Sequence, residues 1–332
     1  MKNVVGIDIG GTKCAVSLGK IKDDGEIEVI DKLVYPTSDY SGPYLMLEKL
    51  QEGTARLLHK HKLPTSEVAS IGISCGGPLD SVRGLILSPP NLPGWDNIPV
   101  IELFEKKLGI STAIQNDANA CALAEWKFGA GKGLKNVIFL TFGTGMGAGL
   151  ILDGKLYAGT NDMAGEVGHI RLETMGPVGY GKAGSFEGFC SGGGIAQLAQ
   201  VKIKEKSQMG ERVSFCPQLQ DINSVTAQTV AEAAYKGDPL AIEIYEICGT
   251  YMGKALSVLI DILNPEMIIL GSIYVRSGDL LIAAINEQLK KEALFHAARV
   301  CQIAPAKLSE SIGDIAALSV AAYHMENLKQ KA

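Results

Sequence analysis

The chain has 332 residues, 46% of them hydrophobic and 20% charged, and its 31 basic and 36 acidic side chains leave a net charge of −5. That composition excludes a disordered chain, and the acidic balance gives no broad footprint for nucleic acid. No run near ~20 apolar residues is present to span a membrane.

The elements read in order. Val4 to Ile9 is an apolar, β-branched strand, Gly10-Gly11-Thr12-Lys13 is a turn, and Cys14 to Leu18 is a second strand. Ile27 to Val34 reads as a third strand and Leu45 to His61 as a helix. Val68 to Ser74 is a strand that runs into Gly76-Gly77-Pro78, and Ile98 to Leu108 reads as a helix. Ile110 to Gln115 is a short strand, and Asp117 to Phe128 is an alanine-rich helix stopped by Gly129. Val137 to Phe142, Gly143-Thr144-Gly145-Met146-Gly147 and Ala148 to Leu152 then repeat the opening strand, glycine turn and strand. Ile242 to Leu263 is a long helix broken by Asn264-Pro265. Met267 to Leu270 is a strand, and Leu280 to Lys291 and Ser311 to Leu328 are helices. The polar stretch Ser207 to Gln228 reads as a surface excursion. One unit recurring at about a domain length implies two similar α/β domains.

Seven scattered cysteines, none at a metal-knuckle or redox spacing, read as reduced thiols of a cytoplasmic protein. The opening MKNVVGIDIGGTK lacks the apolar core of a signal peptide.

The glycine turns carry the chemistry. Glycines let backbone N–H groups approach a ligand. A turn with a Thr hydroxyl and a Lys makes a phosphate cradle. A strand follows the Gly10–Lys13 turn, so it is not a Walker loop. Taken alone it is equally a plain hairpin. Asp8 tips the balance, because a carboxylate inside an apolar strand is costly unless something cationic faces it. Phosphates with Mg²⁺, held through metal-bound water, supply that reason. The second turn, Gly143-Thr144-Gly145, is expected to close on the same phosphates from the other domain. Asn116-Asp117 stands where a strand meets a helix. It suits an N-cap and equally an ionised carboxylate that takes a hydroxyl proton. Glu166, His169 and Glu187 are the acceptor and donor types that hold sugar hydroxyls; each alone is more often an ordinary surface or core residue, but with the phosphate turns they fit the sugar side of a phosphotransferase.

Gly6-Ile7-Asp8-Ile9-Gly10-Gly11-Thr12-Lys13, Gly72 to Asp80, Asn91-Leu92-Pro93-Gly94-Trp95, Asn116-Asp117-Ala118-Asn119, Phe142 to Gly147 and Gly165-Glu166-Val167-Gly168-His169 together resemble the ROK family of sugar kinases, in the hexokinase–actin–Hsp70 superfamily. The resemblance implies an α/β fold of two ribonuclease H-like (actin-like ATPase) domains flanking a cleft. Residues 1–117 with about 309–332 would form the small domain and 118–308 the large one. It implies ATP as phosphate donor, bound by Asp8, Gly10, Gly11, Thr12, Lys13, Gly143, Thr144, Gly145 and Gly271, with Mg²⁺ near Asp8. Asp117 would be the catalytic base toward a hexose 6-hydroxyl. Gly76, Asn91, Asn116, Asp117, Glu166, His169 and Glu187 would bind the sugar. A homodimer is also implied.

Two departures stand out. Many members hold zinc with a histidine and three cysteines, but Val178, Tyr180 and Ser185 occupy the thiolate positions here. One imidazole without thiolates does not hold zinc. The expectation is no zinc, His169 kept as a hydrogen-bonding residue, and a loop held by packing around Tyr180. The second departure is Gly271-Ser272, where the family often has two glycines, and this puts the nucleoside contact in question. Glucose is the first-choice substrate. N-acetylglucosamine, N-acetylmannosamine, fructose and allose, with polyphosphate as donor, stay open, as does a non-catalytic sugar-responsive regulator of the same family.

Overall fold

The computed structural model describes residues 1–308 and 311–331. Residues 309 and 310, where the expected return to the N-terminal domain begins, and residue 332 lie outside the described residues. The chain divides into two compact units. One comprises Met1–Lys135, Gly149–Ala164 and the segment from Lys307 onward, and the other comprises Asn136–Ala148 and Gly165–Ala306.

Strands β1 (Lys2–Ile9), β2 (Lys13–Ile21) and β3 (Ile27–Pro36) form an antiparallel meander, with Ile9 facing Cys14 across the first glycine turn. Helix α1 (Pro43–Lys60) opens on a proline, whose missing N–H is unneeded in the first turn. It buries Met46, Leu47, Leu50, Leu57 and Leu58 at helical spacing. Strand β4 (Val68–Cys75) runs parallel to β1 and is apolar and buried along nearly its whole length, as a strand covered on both faces must be. A small sheet of β5 (Leu79–Asp80), β6 (Leu85–Leu87) and β7 (Asp96–Ile98) follows. Ile98 pairs within β7, so helix α2 (Val100–Leu108) starts two residues later than its apolar pattern suggests and ends at left-handed Gly109. Strand β8 (Thr112–Asn116) pairs parallel to β4 and feeds directly into α3 (Asp117–Phe128).

Strands β9 (Val137–Phe142), β10 (Met146–Leu152) and β11 (Lys155–Tyr157) then repeat the opening meander. A two-pair hairpin, β12 (Val178–Gly179) with β13 (Lys182–Ala183), precedes the single turn α4 (Phe186–Phe189). Helix α5 (Gly192–Gln208) is not legible in the sequence because three glycines open it; Ser191 caps it by accepting from the Gly194 N–H at 3.0 Å. Residues 209–226, with an isolated bridge between Val213 and Cys216 and a 3₁₀ turn at Leu219–Ser224, separate it from α6 (Ala227–Tyr235). Helix α7 (Pro239–Leu263) begins three residues before its apolar run. Asp238 caps it, accepting from the N–H groups of Leu240 and Ala241, and Pro239 takes the first position. Strand β14 (Met267–Leu270), helices α8 (Ile273–Ser277), α9 (Ile282–Glu292) and α10 (Phe295–Ala298), strand β15 (Gln302–Pro305) and helix α11 (Ile312–Lys331) complete the chain.

The two large sheets share one strand order. The first is β3-β2-β1-β4-β8 and the second β11-β10-β9-β14-β15. In both, the fourth strand pairs parallel with the first and the fifth parallel with the fourth. The repeat read from the glycine turns is thus a repeat of topology. Helix α11 covers β1 and β4, where the Ser70 hydroxyl donates to the Ala321 carbonyl at 2.8 Å. Among the described residues no helix is long and apolar enough to cross a membrane.

Candidate active site

In the first unit the candidate residues gather at the carboxyl ends of the parallel strands, where open α/β sheets bind ligands. Register aligns Asp8 with Ser74, Ile9 with Cys75, and Cys75 with Asn116. Asp8 is therefore the penultimate residue of β1, Gly76 follows β4, and Asp117 follows β8. Thr37 ties the first glycine turn from behind: its N–H donates to the Thr12 carbonyl at 3.0 Å and its hydroxyl to the Gly10 carbonyl at 2.7 Å. Gly11, Thr12 and Lys13 stay exposed. Position 11 must be glycine on contact grounds, since a Cβ there would lie 2.4 Å from the Asn91 carbonyl oxygen. The Asn91 amide in turn lies beside Gly76. The loop carrying Asn91 is therefore folded against the first glycine turn, and a recess of about 400 Å³ opens there between Gly11, Thr12, Tyr40 and Trp95.

Asn116 and Asp117 divide their duties. The Asn116 side chain caps α3, accepting from the Asn119 N–H at 2.7 Å. The Asp117 carboxylate is relieved of that task and accepts the adjacent Ala118 N–H, at 2.8 Å. Desolvation by the surrounding protein pushes its pKa above the usual carboxylate range, against the pull of that N–H, while the residue keeps exposed surface that a substrate can reach. Asp8 is pushed up to about 6, first by desolvation and then by the charges of Asp314 and Asp117, with Lys32 and Lys13 opposing. Asp314 lies in the first turn of α11 and is ion-paired with Lys32. Its bearing on Asp8 is invisible in the sequence, because nothing local links a helix near the end of the chain to the first strand.

In the second unit the glycine turn is closed by the Gly143 N–H donating to the Gly145 carbonyl at 3.2 Å. The Gly192 N–H donates to the Gly143 carbonyl at 2.8 Å, which brings the glycine run of α5 onto the turn. A cleft of about 1010 Å³ extends from Gly143 and Thr144 past Gly192 to Gln228, Glu232, Ser272 and Arg276. Ser272 holds φ at +47°, strained for a residue with a side chain, directly after Gly271, whose N–H donates to the Leu140 carbonyl. Glu187 accepts the Met146 N–H at 3.0 Å. Glu166 immediately precedes the 3₁₀ turn Val167–His169, and His169 ends it. A Cβ on Gly168 would lie 2.1 Å from the Met146 carbonyl, so this turn sits hard against the start of β10, near Glu187.

Residues 4–323 match the ROK family. The chain belongs to the ROK family. It is 32% identical over 314 residues to a glucokinase of Halalkalibacterium halodurans, covering 94% of this chain and 92% of that one. Among solved structures it resembles the ROK hexokinase of Thermus thermophilus, with TM-score 0.77 and 26% identity over 98% of this chain and 99% of that one. It likewise resembles a ROK glucokinase of Streptomyces griseus in complex with glucose and AMPPNP, with TM-score 0.72 and 26% identity over 96% of this chain and 99% of that one. The two sheets are those of the actin-like ATPase fold of these ROK kinases.

This ROK chain holds its β12–β13 region differently from the expected packing around Tyr180. Tyr180 is 77% exposed and meets His169 only edge-on, with ring centroids 6.4 Å apart. So exposed a ring buries too little area to fix a loop; hydrogen bonds do the holding. Ser185 caps α4 by accepting from the Gly188 N–H at 3.1 Å. Among the described residues no cluster of three or more His, Cys, Asp or Glu side chains is placed to hold a metal. Sequence reasoning missed Gly192, Gly193, Gln228, Glu232 and Arg276 along the cleft. The cap-and-glycine run from Ser191 is a legible signal for the first two, whereas the others are ordinary helix-surface residues whose role depends on packing.

Proposed function

We propose that this ATP-dependent sugar kinase phosphorylates the 6-hydroxyl of glucose, with Asp117 as its general base. The observation that carries the reading is the Asp117 carboxyl: reachable, raised in pKa, and freed from capping by Asn116. A carboxylate whose pKa is raised is a stronger base and accepts a proton more readily. Asp117 takes the proton from the sugar hydroxyl as its oxygen attacks the γ-phosphorus and the bond to the β–γ bridging oxygen breaks, with ADP leaving. Asn116, Glu166, His169 and Glu187 hold the other hydroxyls, with Gly76 and Asn91 lining the sugar. The two glycine turns, with Thr12, Lys13 and Thr144, bind phosphates, and the cleft beyond Gly143 takes the nucleoside past Gly271. Its 1010 Å³ lies at the upper end of the volumes usual for small-molecule sites, roughly 300–1,000 Å³.

The residues fit Mg²⁺. Mg²⁺ takes one or two carboxylates and completes its shell with water and phosphate oxygens. Asp8, crowded by the charges of Asp314 and Asp117, gains from a cation. Asp8 would hold it through water, and the ion supplies charge neutralisation on the phosphates. The reading extends to a cytoplasmic homodimer without zinc.

A panel of glucose, N-acetylglucosamine, N-acetylmannosamine, fructose and allose against ATP and polyphosphate tests the assignment. The expected result is turnover with ATP and glucose at the highest kcat/KM. Absence of phosphorylation across the panel would leave a sugar-binding regulator instead. Elemental analysis of protein purified without added zinc is expected to find none. One tightly held zinc per chain would overturn the zinc-free reading of the β12–β13 region.

A further inference from the structure

The β12–β13 hairpin consists of two residue pairs, Val178 with Ala183 and Gly179 with Lys182. A hairpin so short is not stable by itself in water. It is fixed from outside at both ends. On one side Gln197 of α5 makes both backbone bonds of Val178, donating to its carbonyl and accepting its N–H, each at 2.9 Å. On the other, the Lys182 ammonium donates to the His169 carbonyl at 2.7 Å. Arg171 adds a second link, donating to the Ala183 carbonyl at 2.7 Å.

The His169 carbonyl belongs to the 3₁₀ turn that carries His169 and Glu166 at its two ends. The His169 N–H bonds back to the Glu166 carbonyl at 3.2 Å. The chain then continues to Ile170, whose carbonyl accepts the Phe186 N–H at 2.8 Å, next to Glu187. The Lys182 bond thus reaches the segment that bears two sugar candidates and adjoins the third. A hydrogen bond from a charged donor is about twice as strong as a neutral one. Loss of this bond removes the charged donor from the His169 carbonyl, leaving the turn to its weaker i→i+3 bonds and to the flanking bonds at Gly165 and Ile170.

We infer that Lys182 is a positioning residue for sugar binding: its ammonium, anchored on the β12–β13 hairpin, fixes the turn that presents Glu166 and His169 to the acceptor hydroxyls. Lys182 itself touches neither substrate. The hairpin ties this turn to α5, whose first residues line the nucleotide cleft. The inference rests on the sugar-kinase reading of Glu166 and His169.

The test uses the full chain with Lys182→Met and Lys182→Arg, and compares glucose, or the hexose selected by the panel, with ATP. Methionine keeps the apolar stem and removes the donor, whereas arginine restores a cationic donor. The expected result for Lys182→Met is an increase of about tenfold in both sugar KM and calorimetric sugar Kd, the scale of one such bond. The KM for ATP and the melting temperature are expected to stay near wild type, since the side chain is partly exposed. Lys182→Arg is expected to recover most of the loss. Wild-type sugar affinity in Lys182→Met overturns the inference. So does an equal rise in the KM for ATP, or an arginine variant no better than methionine. If wild type itself neither binds nor phosphorylates any hexose, the sugar-kinase reading falls, and that outcome is distinct from a methionine variant that matches an active wild type.

Discussion

Replacing Asp117 with asparagine will lower kcat by about 10²–10⁴-fold, the contribution of one well-placed general base. Glucose binding at equilibrium will stay within about twofold, because proton acceptance is felt mainly in the transition state. Asparagine preserves the shape, and its amide oxygen still accepts the Ala118 N–H. Helix α3 keeps its cap, which belongs to Asn116. Fold and sugar site therefore survive, and only the proton acceptor is gone. Steady-state kinetics with calorimetric sugar titration checks this. Turnover close to wild type would remove Asp117 from the mechanism, and loss of sugar binding at unchanged kcat would make it a binding residue.

Asp8→Asn is expected to give a more stable protein that is a far poorer catalyst. The Asp8 carboxyl is raised from 3.8 to about 6, so the folded state holds its proton more tightly than the unfolded chain. That group's contribution is fully present below its unfolded pKa and is lost as the pH climbs through about 6. Above that range the ionised carboxylate weakens the unliganded fold by up to about 3 kcal/mol at ~1.4 kcal/mol per pKa unit, and by less to the extent that solvent reaches it. Asparagine removes the penalty. Urea unfolding at pH 8 should show the variant ahead by about 1–3 kcal/mol, with the gap closing at or below about pH 4. The kcat/KM for ATP should fall by at least about 100-fold, since the carboxylate proposed to face Mg²⁺ and the phosphates would be lost. Equal stability at pH 8, or a gain that persists undiminished at low pH, would contradict desolvation and neighbouring negative charge as the origin of the shift.

Both results depend on features with different visibility in the sequence. The strand that carries Asp8 near its end, the glycine turn after it, and the recurrence of that unit at residue 137 are all local patterns, and they show that one unit is repeated; the strand order of the two sheets comes from the tertiary structure. Asn116-Asp117 is legible as a strand-to-helix junction, but which residue caps and which stays free is decided by backbone geometry. The missed elements fail for identifiable reasons. Helix α5 begins on three glycines, which carry no apolar period. Helix α7 starts ahead of its apolar pattern because Pro239 looks like a breaker, although at the first helical position it is a starter. Strands β12 and β13 are too short to show alternation.

The sequence alone determined the two glycine turns, the strand-to-helix junction at Asn116-Asp117 and the family, because such turns and helix caps are built from consecutive residues with distinctive backbone requirements. The tertiary structure decided what surrounds them. Asp314 sets the field at Asp8 from a helix near the chain's other end, Gln228, Glu232 and Arg276 share a cleft with Thr144, and Lys182 rather than Tyr180 secures His169. Each of these is a contact between ordinary surface residue types, and such contacts exist only once distant segments are packed together.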